Sequence, residues 1–321
     1  MQKISIRDFL LRYAIVLILA VLVIVVSIIQ PRFISLQNIR NVLNQITVIG
    51  ILSCGMTFVI IAGFINLSVG SIISIVGIVV LQLTMSAGDG IAILLALLLG
   101  AFIGVISGII MSMIDGRLSE SFMVTYGLQS ICAALALIVS GGLFIMSLST
   151  GVFSELGRNL TPAVIFFLLI VLCQFFLTKT IWGRNIYFLG ANPAAARLSG
   201  INTRFYTTIV FTLCGTISAL AGIVLASRVA SANPNAGVGY ELDAIAACVV
   251  GGISMKGGKG SFLNTLKGVI IIGVLSNALN LLGVTTYPQM MVKGLVIVLA
   301  VALDVLALRP TTSGKAVLKN A

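Results

Sequence analysis

The 321-residue chain contains no histidine. Imidazole metal sites, histidine general bases and Ser-His dyads are therefore excluded. Charge is scarce as well. Only 8% of residues are Asp, Glu, Lys or Arg, against roughly 25% in a soluble domain whose surface must face water. Acids are the scarcest, with 8 Asp and Glu beside 19 Lys and Arg. Cysteine builds no framework: Cys54, Cys132, Cys173, Cys214 and Cys248 are odd in number, lie in apolar segments and show no Cys-x-x-Cys spacing. They read as small buried hydrophobes. What is abundant is apolar side chain, 59% of the residues, with a mean hydropathy of +1.21. Such a chain cannot coat itself with water-facing groups, so its solvent is lipid. The net charge of +11 then speaks for membrane topology and attraction to anionic lipid, not for nucleic acid.

A helix needs about 20 apolar residues to cross the hydrocarbon core. Backbone groups left unpaired in lipid are too costly for anything but helices or closed barrels. Apolar segments near 13–29, 46–62, 69–86, 91–113, 122–147, 162–178, 207–230, 244–253, 262–282 and 288–308 predict an all-α, polytopic membrane protein with about ten transmembrane helices in one domain over 1–321. The first follows Lys3, Arg7 and Arg12 and precedes Gln30-Pro31-Arg32 with no small-residue cleavage site, so it reads as a retained span. The segment 244–253 is short enough to be re-entrant. Ten crossings with both termini cytoplasmic put fourteen of the 19 Lys and Arg on the inside, as the positive-inside rule prefers. Nine crossings would send Arg309, Lys315 and Lys319 outside.

Small residues predict how spans pack. Gly100, Gly104 and Gly108 line one helix face, and Gly215, Ala219, Gly222 and Ala226 line another. Such stripes let backbones approach closely in lipid, within one chain or between two.

Five features interrupt the apolar pattern. The loop 179–206 carries Lys179, Arg184, Arg197 and Arg204 and no acid. In it Asn192 is a good N-cap, Pro193 fits the first helical position, Ala195 and Ala196 favour helix and Gly200 suits a left-handed C-terminus. This predicts a short helix over 192–200, either resting on the membrane surface or docking a cytoplasmic partner. Gly63-Phe64-Ile65-Asn66-Leu67-Ser68-Val69-Gly70-Ser71 reads as a tight hairpin or as a broken helix lining a path. Glu241 and Asp243 open the short segment 244–253, where the helix dipole favours acids. Lys293 in an apolar run needs an acceptor, and an outer-side pair with Glu241 or Asp243 would supply one. Gly251–Ser261 looks phosphate-friendly, but Gly258-Lys259 lacks a glycine at 253 and a Ser or Thr at 260, so it is no P-loop. Asn277 and Asn280 share one helix face, as interhelical glue or as part of a polar path.

These residues resemble the ribose-type permeases of ABC importers. Gly55–Gly63 followed by Asn66-Leu67-Ser68-Val69-Gly70-Ser71 is similar to the family's first signature. Glu241–Ala247, Gly251-Gly252 and Gly257–Ser261 are similar to its second, continued by Gly273-Val274-Leu275, Asn277, Asn280–Gly283 and Val292-Lys293-Gly294. Gly190, Asn192 and Ala195–Ile201 resemble its cytoplasmic coupling loop. The resemblance, from about Leu36 to Asp304, implies a type II-like importer permease fold. It implies a second permease chain, identical or related, a cytoplasmic ABC ATPase that binds the ATP and Mg, and a periplasmic or lipid-tethered solute-binding protein. This chain would need no cofactor or metal and would catalyse nothing. Asn192, Ala195, Ala196, Arg197, Leu198, Ser199 and Gly200 would couple to the ATPase. Asn66, Ser68, Gly70, Ser71, Asn277 and Asn280 would form path or gate. The bacterial inner membrane is the implied location, and a monosaccharide or similar small polar solute the implied cargo. Two departures stand out: Asn66 replaces a usual aspartate, and Pro193-Ala194 stand where acids are common. The same machine for a nucleoside or an autoinducer-type furanose is an alternative. An autonomous secondary transporter is another, though the acids sit mostly near span ends and no histidine is present to relay protons.

Overall fold

The computed structural model describes residues 20–21, 23–146 and 150–307. Its helices are α1 (Leu36–Ile61), α2 (Val69–Ala87), α3 (Asp89–Ile114), α4 (Leu118–Ser140), α5 (Val152–Leu156), α6 (Thr161–Lys179), α7 (Ile181–Ala191), α8 (Pro193–Leu198), α9 (Thr203–Val229), α10 (Tyr240–Val250), α11 (Phe262–Leu281) and α12 (Thr286–Ala307). Seven described helices, α1, α2, α3, α4, α6, α9 and α11, are long and apolar enough to cross a membrane by length and composition. The expected count of about ten rests on three further segments. Residues 13–19 and 22 of the first lie outside the described residues, α10 has 11 residues, and the apolar part of α12 is Tyr287–Ala300.

Local chemistry sets the ends. Ser35 caps α1 by accepting from Asn38 N, Asn202 caps α9 by accepting from Phe205 N, and Ser261 caps α11 by accepting from Asn264 N. The helix α3 stops where Asp115 turns into the left-handed region at φ 55°.

The interior is organised by burial, not by amphipathic pattern, because lipid is as apolar as leucine and close packing must replace hydrophobic drive between helices. The apolar window of α1 is 89% buried and that of α9 72%, while that of α4 is only 17% buried. So α1 and α9 form the centre. Phe58, Phe166, Phe211 and Phe262 are fully buried around them, with Phe58 and Phe262 packed edge to face at 4.9 Å. A second cluster joins α2 to α3 through Ile72, Val76, Ala92 and Ala96.

The two small-residue stripes meet in part within this chain: Gly100 lies against Gly215 and Ala219, whereas Gly222 packs on Ile73 of α2. A Cβ on Gly104 would lie 2.5 Å from Phe211 O and 2.8 Å from Thr212 Cα, and one on Gly108 would lie 2.6 Å from Thr208 Cα. These are backbone atoms and cannot swing aside. The pair α3–α9 is therefore held at near-backbone contact along its length.

At one end of the bundle Ile145–Met146 (β1) pairs antiparallel with Ser231–Ala232 (β2). The chain then runs back as irregular backbone beside α2, where Gly237 N donates to Ser74 Oγ at 2.9 Å. Irregular backbone is tolerated at such depth because protein supplies its partners.

Gly104→Ala should separate α3 from α9 and cost about 1–3 kcal/mol. Gly127→Ala, at a position with nothing within 4 Å, should leave stability unchanged or slightly raised. Thermal unfolding of both variants in lipid nanodiscs checks the contrast, and equal midpoints would refute the close-packing account.

Candidate functional site

Of the path residues proposed from Gly63–Ser71, Asn66 and Ser68 lie in a true break between α1 and α2, Gly70 and Ser71 lie in the first turn of α2, and the whole break is buried. Gly63 takes φ +88°, a conformation costly for any side chain. Asn66 and Ser68 are fully buried. Asn66 Oδ1 accepts from Ser68 N at 3.1 Å and from Ser68 Oγ at 2.7 Å, while its Nδ2 donates to Cys214 Sγ at 3.5 Å. Ser71 Oγ donates to Ser68 O at 2.9 Å and starts α2. Two backbone donors of the break are met from α4: Ile65 N donates to Ser121 Oγ and Leu67 N to Thr125 Oγ1, each at 3.0 Å. The break is thus closed by side chains of the most exposed spanning helix.

Two other sequence features reach the same place. Gly258 N donates to Ile61 O at 2.8 Å and so caps the end of α1. A Cβ on Gly257 would lie 2.8 Å from Gly190 O and 2.9 Å from Gly63 Cα. The glycine-rich stretch after α10, the end of α7 and the break between α1 and α2 therefore touch backbone to backbone. Tyr187 on α7 adds a bond from its hydroxyl to Gly260 O at 2.6 Å, and burial pushes its phenol pKa up.

The helix predicted over 192–200 is present as α8. Asn192 Oδ1 accepts from Ala195 N at 3.1 Å, and Gly200 takes φ +80°. Ala196 is buried, whereas Ala195, Ser199 and Gly200 are exposed and Leu198 is 91% exposed. Arg197 turns back into the bundle: its Nε donates to Thr203 Oγ1 at 2.9 Å and its Nη2 donates to Asp115. This pair ties α8 to the turn between α3 and α4. The Arg197 guanidinium holds the Asp115 carboxyl below its ordinary value. A depressed carboxyl stabilises the fold above the ordinary carboxylate range, and that stabilisation is lost as pH falls through the lowered value. Both side chains are about half exposed, which limits the contribution to about 0–1 kcal/mol. A cavity of about 240 Å³ lies beside the pair, floored by Ala62, Phe64, Met111 and Leu189 and rimmed by Arg117, Arg197 and Arg204.

The remaining candidates are dispersed. Lys293 Nζ donates to Asp243 Oδ2 at 2.8 Å, with both side chains largely buried. Glu241 is elsewhere: its Oε1 accepts from Gly239 N at 3.2 Å, and a Cβ on Gly70 would run into its carboxylate. So of the two acids it is Asp243 that meets Lys293, while Glu241 packs on the first turn of α2. Asn277 and Asn38 exchange amide hydrogen bonds at 2.9 and 3.0 Å, joining α11 to α1, and Asn280 accepts from Gln289 Nε2 at 2.7 Å. Neither asparagine is brought to the break. Sequence reasoning did not single out Asp115, Ser121 or Thr125. Ser121 and Thr125 carried one readable signal, two hydroxyls four residues apart on one face of an apolar helix.

Seven lipid-length helices around a buried helix break, braced at one end by a short capped helix, define a polytopic helical membrane permease. The family described as branched-chain amino acid transport system, permease component, matches residues 38–301. The ribose import permease protein RbsC of Bacillus subtilis strain 168 is 43% identical over 292 residues, covering 89% of this chain and 90% of that protein. The probable ABC transporter permease protein YphD of Escherichia coli K12 is 38% identical, covering 98% and 96%. The L-arabinose transport system permease protein AraH of the same strain is 37% identical, covering 91% and 90%. No solved structure matches the chain. The chain belongs to this permease family.

Removing a hydroxyl that caps the break should strand a buried N–H. Ser121→Ala or Thr125→Val should each cost about 1–3 kcal/mol. Ser130→Ala, where the hydroxyl is exposed on the same helix, should cost nothing measurable. Denaturation of the purified variants in detergent reads the difference, and equal stability of all three would show that the break does not depend on α4.

Proposed function

We propose that the chain is the membrane-spanning permease subunit of an ATP-binding-cassette importer that carries a monosaccharide, or a similar small polar solute, across the bacterial inner membrane. The observation that carries this reading is the likeness to ribose and arabinose permeases over about nine-tenths of the chain. Fuel and ligand choice come from other subunits: a cytoplasmic ATPase that binds ATP and Mg, and a periplasmic or lipid-tethered solute-binding protein. A second permease chain completes the channel. Both termini and the α7–α8 end are cytoplasmic in this reading, which the positive-inside count supports.

In this reading α8 has a mechanical part. Its exposed face, Ala195, Leu198 and Ser199, is free to enter a groove on the ATPase, and that face carries no charge. Its other face is fixed to the bundle by Ala196 and Arg197. A displacement of α8 has two routes to the break. One passes through Arg197 and Asp115 to α4, whose Ser121 and Thr125 hold Ile65 and Leu67. The other passes along α7 to Gly190, which sits against Ile61, Gly257 and Gly258. Nucleotide and binding protein would then bias two states of the break, as alternating access requires.

Proline at 195 removes the N–H that Asn192 caps, a loss of about 0.5–2 kcal/mol, and disfavours helical backbone at Ala194 before it, in a two-turn helix that is marginal to begin with. In proteoliposomes holding the permease with its ATPase and binding protein, Ala195→Pro should retain nucleotide hydrolysis but lose ribose or arabinose uptake. Wild-type uptake would remove the coupling assignment. Accumulation by the permease alone, without nucleotide, would make it a secondary transporter. Nucleoside uptake without sugar uptake would change the cargo.

A further inference from the structure

The cavity beside α8 has a property that transport does not use. It is basic: Arg117, Arg197 and Arg204 border it together with Thr203, Thr207 and one acid, Asp115, while a second acid, Glu120, lies beside it and accepts from Arg117 N at 2.8 Å. Asp115 is hydrogen-bonded to Arg197. Arg117 and Arg204 form no ion pair among the described residues. Arg117 also borders a second, open groove of about 470 Å³ whose other walls are Ile65, Leu118, Ser119 and Phe122. One arginine therefore separates a polar, cationic pocket from an apolar trough. The trough ends at Phe122, which is half exposed and stacks on Tyr126 of the same helix with ring centroids 6.4 Å apart.

A ligand filling both needs an anionic head and an apolar tail. Basic pockets between membrane helices at the headgroup level bind anionic phospholipid. Arg117 precedes α4 and Arg204 opens α9, so both arginines sit where spans leave the hydrocarbon. We propose that this cavity is a binding site for one anionic phospholipid, its phosphate between Arg117 and Arg204 and an acyl chain along Leu118 and Phe122. The site depends on membrane insertion, not on the identity of the transported solute. The lipid would lie against both the α3–α4 turn and the inner face of α8, and so would stiffen the contact through which α8 acts.

The test is native mass spectrometry of the permease released from nanodiscs of phosphatidylcholine with and without phosphatidylglycerol. Expected is one tightly retained phosphatidylglycerol per chain. Arg204→Gln should lower retention roughly fivefold and Arg117→Gln with Arg204→Gln roughly twenty-fivefold. Phe122→Ser, which keeps both arginines, should weaken retention, and Lys256→Gln, at the same end but outside the cavity, should not. Melting curves confirm that each variant is folded before it is compared. Equal losses in Lys256→Gln and the arginine variants would mean a diffuse surface attraction and overturn the site. Displacement of the lipid by inorganic phosphate at millimolar concentration, with no effect of Phe122→Ser, would overturn it in favour of a free anion.

Discussion

A backbone N–H in a membrane must find a partner inside the protein, and the break between α1 and α2 is built around that constraint. The chain leaves helix at Ala62 and resumes it at Val69. An unpaired donor there would cost several kcal/mol in lipid. Ile65 and Leu67 find hydroxyls on α4, Ser68 finds Asn66, and the exposed carbonyl end of α1 finds Gly258. Two remote segments, α4 and the glycine-rich stretch after α10, are thereby recruited to one place. A break built in this way cannot move without moving its partners.

That dependence explains the glycines. Gly63, Gly190, Gly257 and Gly258 do not form a flexible hinge; they are the means by which three backbones approach within contact distance. The same device, Gly104 and Gly108 against Phe211 and Thr208, fixes α3 to α9. In water, apolar side chains would hold helices together by leaving solvent. Here helices and lipid are alike apolar, so fit decides which helices are neighbours wherever no polar pair joins them. The bundle is rigid along α3 and α9 and conditional at the break, where polar partners carry the connection.

Much of the fold was legible because lipid imposes a length. The apolar runs from Ile46 onward each correspond to a helix within a few residues at most ends, and α8 follows from Asn192, Pro193 and Gly200 alone. The beginning of α1 at Leu36 was missed by ten residues, since Gln37, Asn38, Arg40, Asn41 and Asn44 look like a loop. They form helix because Asn38 pairs with Asn277 and Arg228 reaches Asn44 O, contacts from distant sequence. The site was half legible. Asn66, Ser68 and Arg197 announce themselves as polar groups in apolar or basic surroundings. Asp115 and the hydroxyls on α4 do not, because their role lies in what they face, and no local pattern records that.

Asn66 shows how such a partner set constrains one residue. Asparagine offers one acceptor oxygen, which Ser68 N and Oγ both use, and one donor nitrogen, which points at Cys214 Sγ. An aspartate could keep the Ser68 bonds, but its second oxygen would face sulfur with no donor except a weak S–H. It would also bring a charge into a fully buried place with no cation in hydrogen-bonding reach. Asn66 and Cys214 are therefore a matched pair: the amide needs a soft acceptor, and the thiol supplies it. A chain with aspartate at 66 needs a stronger donor at 214 or a cation nearby. An uncharged amide at 66 is thus what the partners of the break accommodate.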